Sequence, residues 1–484
     1  MSWRMIVSIR RAYGSGSGQW HHPLTDQSTA VMGAVAALAC WRADWQLGVA
    51  VSLASWVVLR RREPMPVRLL VLLTVVALLA SARGAAALDS LSPRHLGPYE
   101  GWARTIDDPK PYRNSVRVLL EIDRERFELW ARGRAIRLRV SDWRAGEFVR
   151  VHGDRRALKP DRADRVAWQH VVGEFRLEWV SDVTGAGPLD RASNRVRQAV
   201  ERGASVLPGD DGALFRGLVI GDDRDQPPDM TNRFRASGLS HLTAVSGQNV
   251  GFVLAAAGPL LRRLRPWLRW AATVGLVGWF VSMTRFEPSI VRAGTMAAIS
   301  ATGFVLGRER APGRLLALAV TGLVLVDPLL VRSVGFWLSV GATAGVTTIG
   351  PWLAQRLSRF GLLAIPIGVT LGAQAGVVIP SVLVFGRLPL VSVPANLLAI
   401  PVAGFVMLYG LPAGLIAGWV PAIAPIAMFP CRVGVRWVDT IATLGERLEP
   451  GGSADWVGWG ILVAAVALIA AMNRDRHERA SADR

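Results

Sequence analysis

Residues 235–261, RASGLSHLTAVSGQNVGFVLAAAGPLL, begin like the end of a solvated helix and finish like a membrane span. The first half carries Ser240, His241, Thr243, Ser246, Gln248 and Asn249, although each buried polar group needs a partner or costs free energy. Polar groups persist at membrane depth where they line water or meet one another, and unwound helices mark many transport sites. His241 and Gln248, seven apart, share a helical face, and Gly247 allows the backbone to open beside Ser246 and Asn249. The stretch therefore reads as the mouth of a wet cavity. The competing reading is packing, in which the same groups hydrogen-bond neighbouring helices.

Apolar runs of membrane length recur on either side of it. A hydrocarbon core about 30 Å thick needs roughly 20 apolar helical residues, and shorter runs pair, tilt or re-enter. The candidate spans are 28–41, 45–59, 67–82, 239–261, 267–284, 289–306, 315–330, 334–353, 362–385, 388–411, 413–429 and 456–472. With the short first two read as one tight hairpin, this gives a polytopic α-helical membrane protein with about ten or eleven transmembrane helices. Between the last two runs, 432–449 sets Val435, Val438, Ile441, Ala442, Gly445 and Leu448 opposite Arg436, Asp439, Thr443 and Arg447, the pattern of a helix lying in the interface.

From 88 to 182 the hydrophobic period changes to two. Val116, Val118, Leu120 and Ile122 alternate with more polar neighbours, 123–126 offers a turn, and Phe127 and Leu129 begin a return strand; further strands are expected at 135–140, 147–153 and 173–180. About five short strands suggest a small extracytoplasmic β-barrel of the oligonucleotide-binding (OB-like) type. Trp130, Trp143, Trp168 and Trp179 are available there either for stacking or for the core. Amphipathic helices follow at 189–206, 211–220 and 228–237, the last closed by Gly238. The organisation expected is a cytoplasmic tail (1–27), N-terminal transmembrane helices (28–87), the β domain (88–187), amphipathic helices and linker (188–238), a transmembrane channel domain (239–472) and a cytoplasmic tail (473–484).

The net charge of +19 comes almost wholly from arginine; Lys110 and Lys159 are the only lysines. Basic and acidic residues nearly balance in the β domain, so the excess flanks the membrane runs. By the positive-inside rule Arg60, Arg61 and Arg62 are cytoplasmic. The N-terminus is then inside and the β domain outside, and Arg262, Arg263, Arg265, Arg308, Arg310, Arg314, Arg356, Arg359, Arg474, Arg476 and Arg479 all fall inside. Residues 1–23 are polar and read as a tail rather than a cleavable signal peptide. Cys40 and Cys431 sit in apolar surroundings without ligand spacing.

Arg292, four residues into its span, is the strongest intramembrane charge and a candidate phosphate contact. Asp327, Gln374 and Asn396 are further polar candidates, although Asp327 before Pro328 also suits a helix cap. GDDRDQPPD, residues 221–229, reads as a solvated turn. The seven histidines form no cluster with carboxylates, so neither a metal, a cofactor nor a catalytic role is expected.

GLVIGDDRDQPPDMTNRFRASGLSHLTAVSGQNVGFV closely resembles the signature of the ComEC competence family, inner-membrane channels for DNA uptake in natural transformation. PSIVRAGTMAAISATGFVLGRER, VDPLLVRSVGFWLSVGATAGV and PLVSVPANLLAIPVAGFVML also look like family segments, in the family's order. Where many members read Ser-Gly-Leu-His, this chain has Ser246-Gly247-Gln248-Asn249, which removes a second histidine. The resemblance is to a form lacking the C-terminal metallo-β-lactamase-like domain of larger members. It implies a multi-pass protein of the inner membrane that passes single-stranded DNA into the cytoplasm; the candidates for lining that path, read from their polarity or size at membrane depth, are His241, Thr243, Ser246, Gly247, Gln248, Asn249, Arg292, Asp327, Gln374 and Asn396. The implied partners are single-stranded DNA, the lipid bilayer, a DNA receptor, a separate nuclease and a cytoplasmic translocase, with oligomers open. Read from the residues alone, a small-solute permease or exporter on the same bundle, or a non-conducting scaffold, also stands.

Overall fold

The apolar runs become long helices, and reversals fall where caps permit them. The computed structural model describes residues 25–61, 67–112, 114–243, 246–308 and 310–482; the expected tail up to residue 24, and Arg62, lie outside the described residues. Helices α1 (Asp26–Arg42), α2 (Trp45–Arg60) and α3 (Val67–Asp89) come first. The two-residue reversal between α1 and α2 uses Ala43 in the left-handed region (φ 53°). Asp44 follows, its carboxylate accepting from the amides of Gln46 and Leu47.

The β unit comprises β1 (Gly97–Thr105), β2 (Lys110–Tyr112), β3 (Ser115–Ile122), β4 (Glu125–Arg132), α4 (Arg134–Ser141), β5 (Phe148–Ala157), α5 (Pro160–Val166) and β6 (Val171–Thr184). Asp123 and Arg124, both at positive φ, close the β3–β4 hairpin. β1 pairs with both β5 and β3, β5 with β6, and β4 with β3, all antiparallel, while β6 joins β4 in parallel. Five strands thus close a ring, with β2 added on β3. Val118, Leu120, Ile122, Phe127, Leu129, Val149, Val151 and Phe175 fill it.

Residues 135–140, expected as a strand, are helical. Ile136 and Val140, four apart, face the core while Leu138 between them is exposed, so the operative period is the helical one. β1 went unread because Gly97, Pro98 and Gly101 dilute its alternation.

Helices α6 (Pro188–Ala204), α7 (Asp211–Ile220) and α8 (Pro228–Ala236) lead to Gly238 at φ 72°. Next come α9 (Ser240–Thr243), α10 (Gly247–Leu261), α11 (Pro266–Met283), α12 (Pro288–Val305), α13 (Pro312–Val326), α14 (Val334–Arg356), α15 (Ala364–Phe385), α16 (Ser392–Trp419), α17 (Ala424–Leu448) and α18 (Ser453–Ala482). Among the described residues, three helical segments are long and apolar enough to cross a membrane: Val67–Asp89, Ser358–Phe385 and Ser392–Trp419. Trp45–Arg60, Gly247–Leu261, Pro312–Val326 and Ser453–Ala467 are apolar but shorter. One core joins α6–α8 with α10–α12, α16 and α17; a second joins α1–α3 with α12–α14; a third joins α14–α16 with α18.

Two expectations are corrected at the end of the chain. The run 413–429 is not one helix: α16 continues through Pro412 to Trp419, a turn intervenes, and α17 begins at Ala424. Nor is 432–449 a separate one-sided helix. It is the second part of α17, whose Val435, Val438 and Ile441 are buried against the bundle, while Ile426, Phe429, Val433 and Leu448 are exposed on another face. Two of its charges are paired, Arg436 with Asp211 (3.0 Å) and Asp439 with Arg233 (2.9 Å).

Helices α14 and α15 pack backbone against backbone. A Cβ on Gly345 would overlap the Gly372 carbonyl, one on Gly341 the Gly376 carbonyl, and one on Gly372 would lie 2.7 Å from the Gly350 nitrogen. Small residues four apart let backbones approach to this distance in apolar surroundings. Gly345→Leu should therefore separate the pair and cost more than about 3 kcal/mol, read as a lost or strongly lowered thermal transition in detergent. Gly278→Ala in α11, where the added methyl meets open space, should leave the transition within about 1 kcal/mol of wild type.

Candidate functional site

The quoted polar stretch is a broken helix held between two polar clusters. At its start, Ser237 packs on Gly445 and Gly238 on Ser392, whose Cβ a side chain at 238 would overlap. Ser392 Oγ accepts from Gln374 Nε2 (3.0 Å) and donates to the Pro389 carbonyl (2.7 Å). Asn396 Nδ2 donates to the Ser392 carbonyl (2.6 Å), and its buried Oδ1 has no partner among the described residues. Gln374 and Asn396 thus meet through Ser392, a residue the sequence reading passed over.

At the other end, Ser246 is extended and precedes α10. Its hydroxyl donates to Asn249 Oδ1 (3.3 Å), while Asn249 Nδ2 donates to the Leu218 carbonyl of α7 (3.0 Å). Buried Asn249 therefore ties α10 to α7. Thr243 is also buried; its hydroxyl donates to the Ser240 carbonyl (3.0 Å), and its own carbonyl accepts from Gln226 (3.3 Å). His241 and Gln248 are exposed. Gly247 serves close approach: a Cβ there would lie 2.7 Å from Arg292 Nη2 and 3.1 Å from Ala293 Cβ.

Arg292 is only 5% exposed. Its Nε donates to Ser339 Oγ of α14 (2.9 Å), and its Nη1 lies 3.0 Å from Met296 Sδ. No carboxylate among the described residues pairs with it. The guanidinium therefore joins α10, α12 and α14 as a buried cation with neutral partners, an arrangement that favours an anion wherever one gains access. Asp327 stands apart from this group. It accepts from the Leu329 amide (3.1 Å) and faces His170 Nε2 of the β unit (3.0 Å), so it caps a turn and ties the β unit to the bundle.

The acidic turn proves to be part of a buried ion cluster. Asp222 is buried; Arg224 donates to both of its carboxylate oxygens at 2.7 Å, and Arg197 and Arg216 lie 3.8 and 3.9 Å away. Arg224 also donates to Glu201, which Arg144 of the β unit grips with both nitrogens (2.8 and 3.0 Å). Asp108, after β1, receives Arg285 at 3.0 and 3.1 Å and Arg197 at 3.2 Å. Lys110 reaches Asp223 (3.5 Å). Burial alone would raise the Asp108 carboxyl, but Arg197 and Arg285 outweigh it and hold it well below the usual range. Burial also opposes ionisation of Asp222, and its arginines reverse the balance to a value of about 2. No arrangement of three or more His, Cys, Asp or Glu among the described residues suits a metal ion. The signal for this cluster was present in α6, where Asn194 and Arg197 share the buried face with Val200 and Ala204.

On the β unit, Trp143 is buried, and Trp130 packs on Tyr112 (centroids 5.2 Å apart) beneath Arg162. Trp179 is 43% exposed and stacks on His152, with ring centroids 5.6 Å apart. Trp102, unnoticed in the sequence, is 45% exposed and lies opposite Arg150 in the β1–β5 register. Its signal was the alternation of β1, masked by glycine.

Apolar helices of membrane-spanning length, packed around a broken polar helix and a buried Arg292 that has no acidic partner among the described residues, mark a membrane protein. The sequence profile of the family described as "Competence protein" matches residues 218–476, which include α9–α17 and both polar clusters. The chain belongs to this family, that of the ComEC proteins. It is 27% identical over 208 residues to ComE operon protein 3 of Bacillus subtilis (43% of this chain, 26% of that protein). It is 30% identical over 208 residues to competence protein ComA of Neisseria gonorrhoeae (40% and 29%) and 26% identical over 216 residues to the uncharacterized protein YcaI of Escherichia coli (40% and 28%). The matches thus span under a third of each relative. No solved structure matches the chain.

Replacing Asp108 by asparagine leaves Arg197 and Arg285 buried without their shared anion, and losing one partner of such a group costs about 3–5 kcal/mol. Asp108→Asn should lower the thermal transition and expose the junction after Thr184 to protease. The wild-type contribution is present above the unfolded carboxylate value near ~3.9 and lost as pH falls through the lower folded value. Asp107 runs the other way. Burial outweighs the Leu119 amide and Arg117 and pushes it up to about 6. Stability should therefore fall as pH rises from about 4 to about 6, by an increment that melting curves of Asp107→Asn lack.

Proposed function

We propose that the chain is a multi-pass inner-membrane channel that passes single-stranded DNA into the cytoplasm during natural transformation. Family membership supports a role in DNA uptake, as do the names of two relatives, ComE operon protein 3 and competence protein ComA. The observation that carries the channel reading is Arg292, a buried guanidinium with neutral partners beside Gly247 and Ser246, where a phosphodiester backbone supplies the missing charge. Ser246, Gly247, Gln248 and His241 form the outer lining, Thr243 and Asn249 hold it in place, and Gln374 and Asn396 continue the polar surface. Asp327 anchors the β unit.

In this reading the β unit is an OB-type barrel. Its ring order and the parallel β4–β6 pair support that assignment. Trp102 and Trp179 beside Arg150 and His152 offer the stacking and basic groups that single strands use. Residues 28–87 form an N-terminal membrane domain, 88–187 the outer domain, 188–238 the linker and 239–472 the channel, with about ten or eleven crossings. A receptor delivers DNA, another polypeptide degrades the second strand, and a cytoplasmic translocase draws the product in.

Uptake of labelled DNA by a transformable host carrying the gene tests the path. Ser246→Trp should abolish uptake while protein level and membrane insertion stay near normal. Arg292→Gln should reduce uptake and flatten its salt dependence, and His241→Ala should do less than either. Full uptake by a stably inserted Ser246→Trp variant removes this stretch from the path, and selective loss of small-solute flux assigns the bundle to a permease instead.

The same reading puts both termini and residues 60–61 in the cytoplasm and the β unit outside. In intact cells an impermeant thiol reagent should modify Arg132→Cys and spare Arg61→Cys. The opposite pattern inverts the topology.

A further inference from the structure

The bundle carries a second charged feature, unrelated to the polar path. The α10–α11 turn and the ends of α12 and α13 bring Arg262, Arg263, Arg265, Arg269 and Arg308 to one corner. None of the five has an acidic partner among the described residues, whereas Arg314 nearby is paired with Asp26 (2.7 Å). The corner is also apolar at its surface: Trp267 is 61% and Leu306 63% exposed, with Trp270, Phe304 and Val305 exposed beside them.

The two features are built together. Arg269 lies over the Phe304 ring with its guanidinium carbon 4.9 Å from the centroid, so α11 presents its charge on the rim of α12. Trp270 Nε1 donates to Thr302 Oγ1 (3.0 Å) and fixes the indole along the same seam. The chain beyond α12 folds back, the Arg308 amide donating to the Gly303 carbonyl (2.7 Å). A side chain at Gly303 would lie 2.7 Å from the Arg308 carbonyl. Exposed indoles and a phenyl ring at a helix end suit the boundary between acyl chains and headgroups. Unpaired guanidinium forks beside them suit a phosphodiester.

We propose that this corner of α11 and α12 is a binding site for an anionic phospholipid, with Arg265, Arg269 and Arg308 on the headgroup phosphate and Trp267, Phe304 and Leu306 against the acyl chains. The occupant is a lipid rather than a soluble phosphate compound, because the exposed apolar surface is continuous with the arginines and has no use for a hydrophilic ligand. A zwitterionic headgroup brings its own cation into the cluster and is disfavoured. The site adds lipid selectivity to the bundle and does not depend on what passes through it.

The test uses the full chain purified in mild detergent and exposed to vesicles of phosphatidylcholine with or without phosphatidylglycerol, with retained lipid counted by native mass spectrometry. Wild type should retain phosphatidylglycerol in preference to phosphatidylcholine, and millimolar inorganic phosphate should not displace it. Each arginine near an anionic surface contributes about 1 kcal/mol, about fivefold in affinity. The double variant Arg265→Gln/Arg269→Gln should therefore lose roughly twenty-fivefold, and Phe304→Ala should lose a smaller part. Arg387→Gln, exposed just after α15 and outside the corner, should match wild type, and an unchanged thermal transition in phosphatidylcholine establishes that each variant is folded. Equal retention of the two lipids by wild type, or undiminished phosphatidylglycerol on the folded double variant, overturns the assignment. Displacement by inorganic phosphate reassigns the corner to a soluble phosphate ligand, and displacement by an acidic peptide reassigns it to a protein partner; either overturns the lipid site.

Discussion

The most deeply buried link between the β unit and the helices centres on one carboxylate. Asp108 draws Arg197 from α6 and Arg285 from the end of α11 into contact with the loop after β1. Taking ions out of water costs several kcal/mol each, and mutual attraction offsets that only when geometry is good and the remaining hydrogen-bonding capacity is filled. The geometry is good here, although Arg285 Nη1 and Arg197 Nε find no partner among the described residues. Arg285 grips Asp108 with two nitrogens and gives its remaining reach to Asn194 (2.6 Å), while the Ala145 amide donates to the same carboxylate (3.1 Å). Lysine, a point charge, could not join three elements in this way, and the chain is almost free of it. Through Asp222, Arg224, Glu201 and Arg144 the same logic extends across the β unit, α6 and the acidic turn.

Arg292 makes the contrast within one molecule. The Asp108 cluster is closed, because each cation meets an anion supplied by the fold. Arg292 is just as buried, yet its partners are a hydroxyl and a thioether. A fold that matches the buried charges around Asp108 and leaves Arg292 without an anion among the described residues has unequal electrostatic demands. Arg292 is where a negative ligand gains most, since the desolvation of the arginine has already taken place. Gly247 keeps α10 close enough for this cation to sit between three helices.

Much of this architecture was legible in the sequence, because membrane helices and alternating strands announce themselves by period and length. The boundaries of α2, α7, α11 and α12 fall within a few residues of their apolar runs, and the β3–β4 hairpin follows from the alternation of Val118, Leu120 and Ile122 around a short turn. What failed did so for local reasons. Pro412 looked like a helix end but is absorbed inside α16, and the charges of α17 looked solvated until Asp211 and Arg233 were found opposite them. At the site, the residue types Ser246, Gly247, Asn249 and Arg292 stood out for their polarity or size, but roles depended on distant chain. Ser339 and Ser392 are unremarkable hydroxyls until folding brings them to Arg292 and Gln374. No spacing rule connects Asp108 with Arg285, which are separated in sequence by five strands and several helices.

The glycine seam between α14 and α15 also has a mechanical meaning. Side chains normally give two packed helices room to roll or slide by small rotamer changes, whereas here carbonyls of one helix rest against the α-carbons of the other with nothing compressible between. The connection between them contains Gly361 at φ 57°, ψ −121°, a conformation glycine tolerates and other residues rarely adopt. The hairpin is therefore stiff along its length and fastened at one end, and it behaves as a single beam. Any change of width in the bundle has to be taken up along the beam's outer edges, where α14 meets α12 and α15 meets α16 through side chains that can yield.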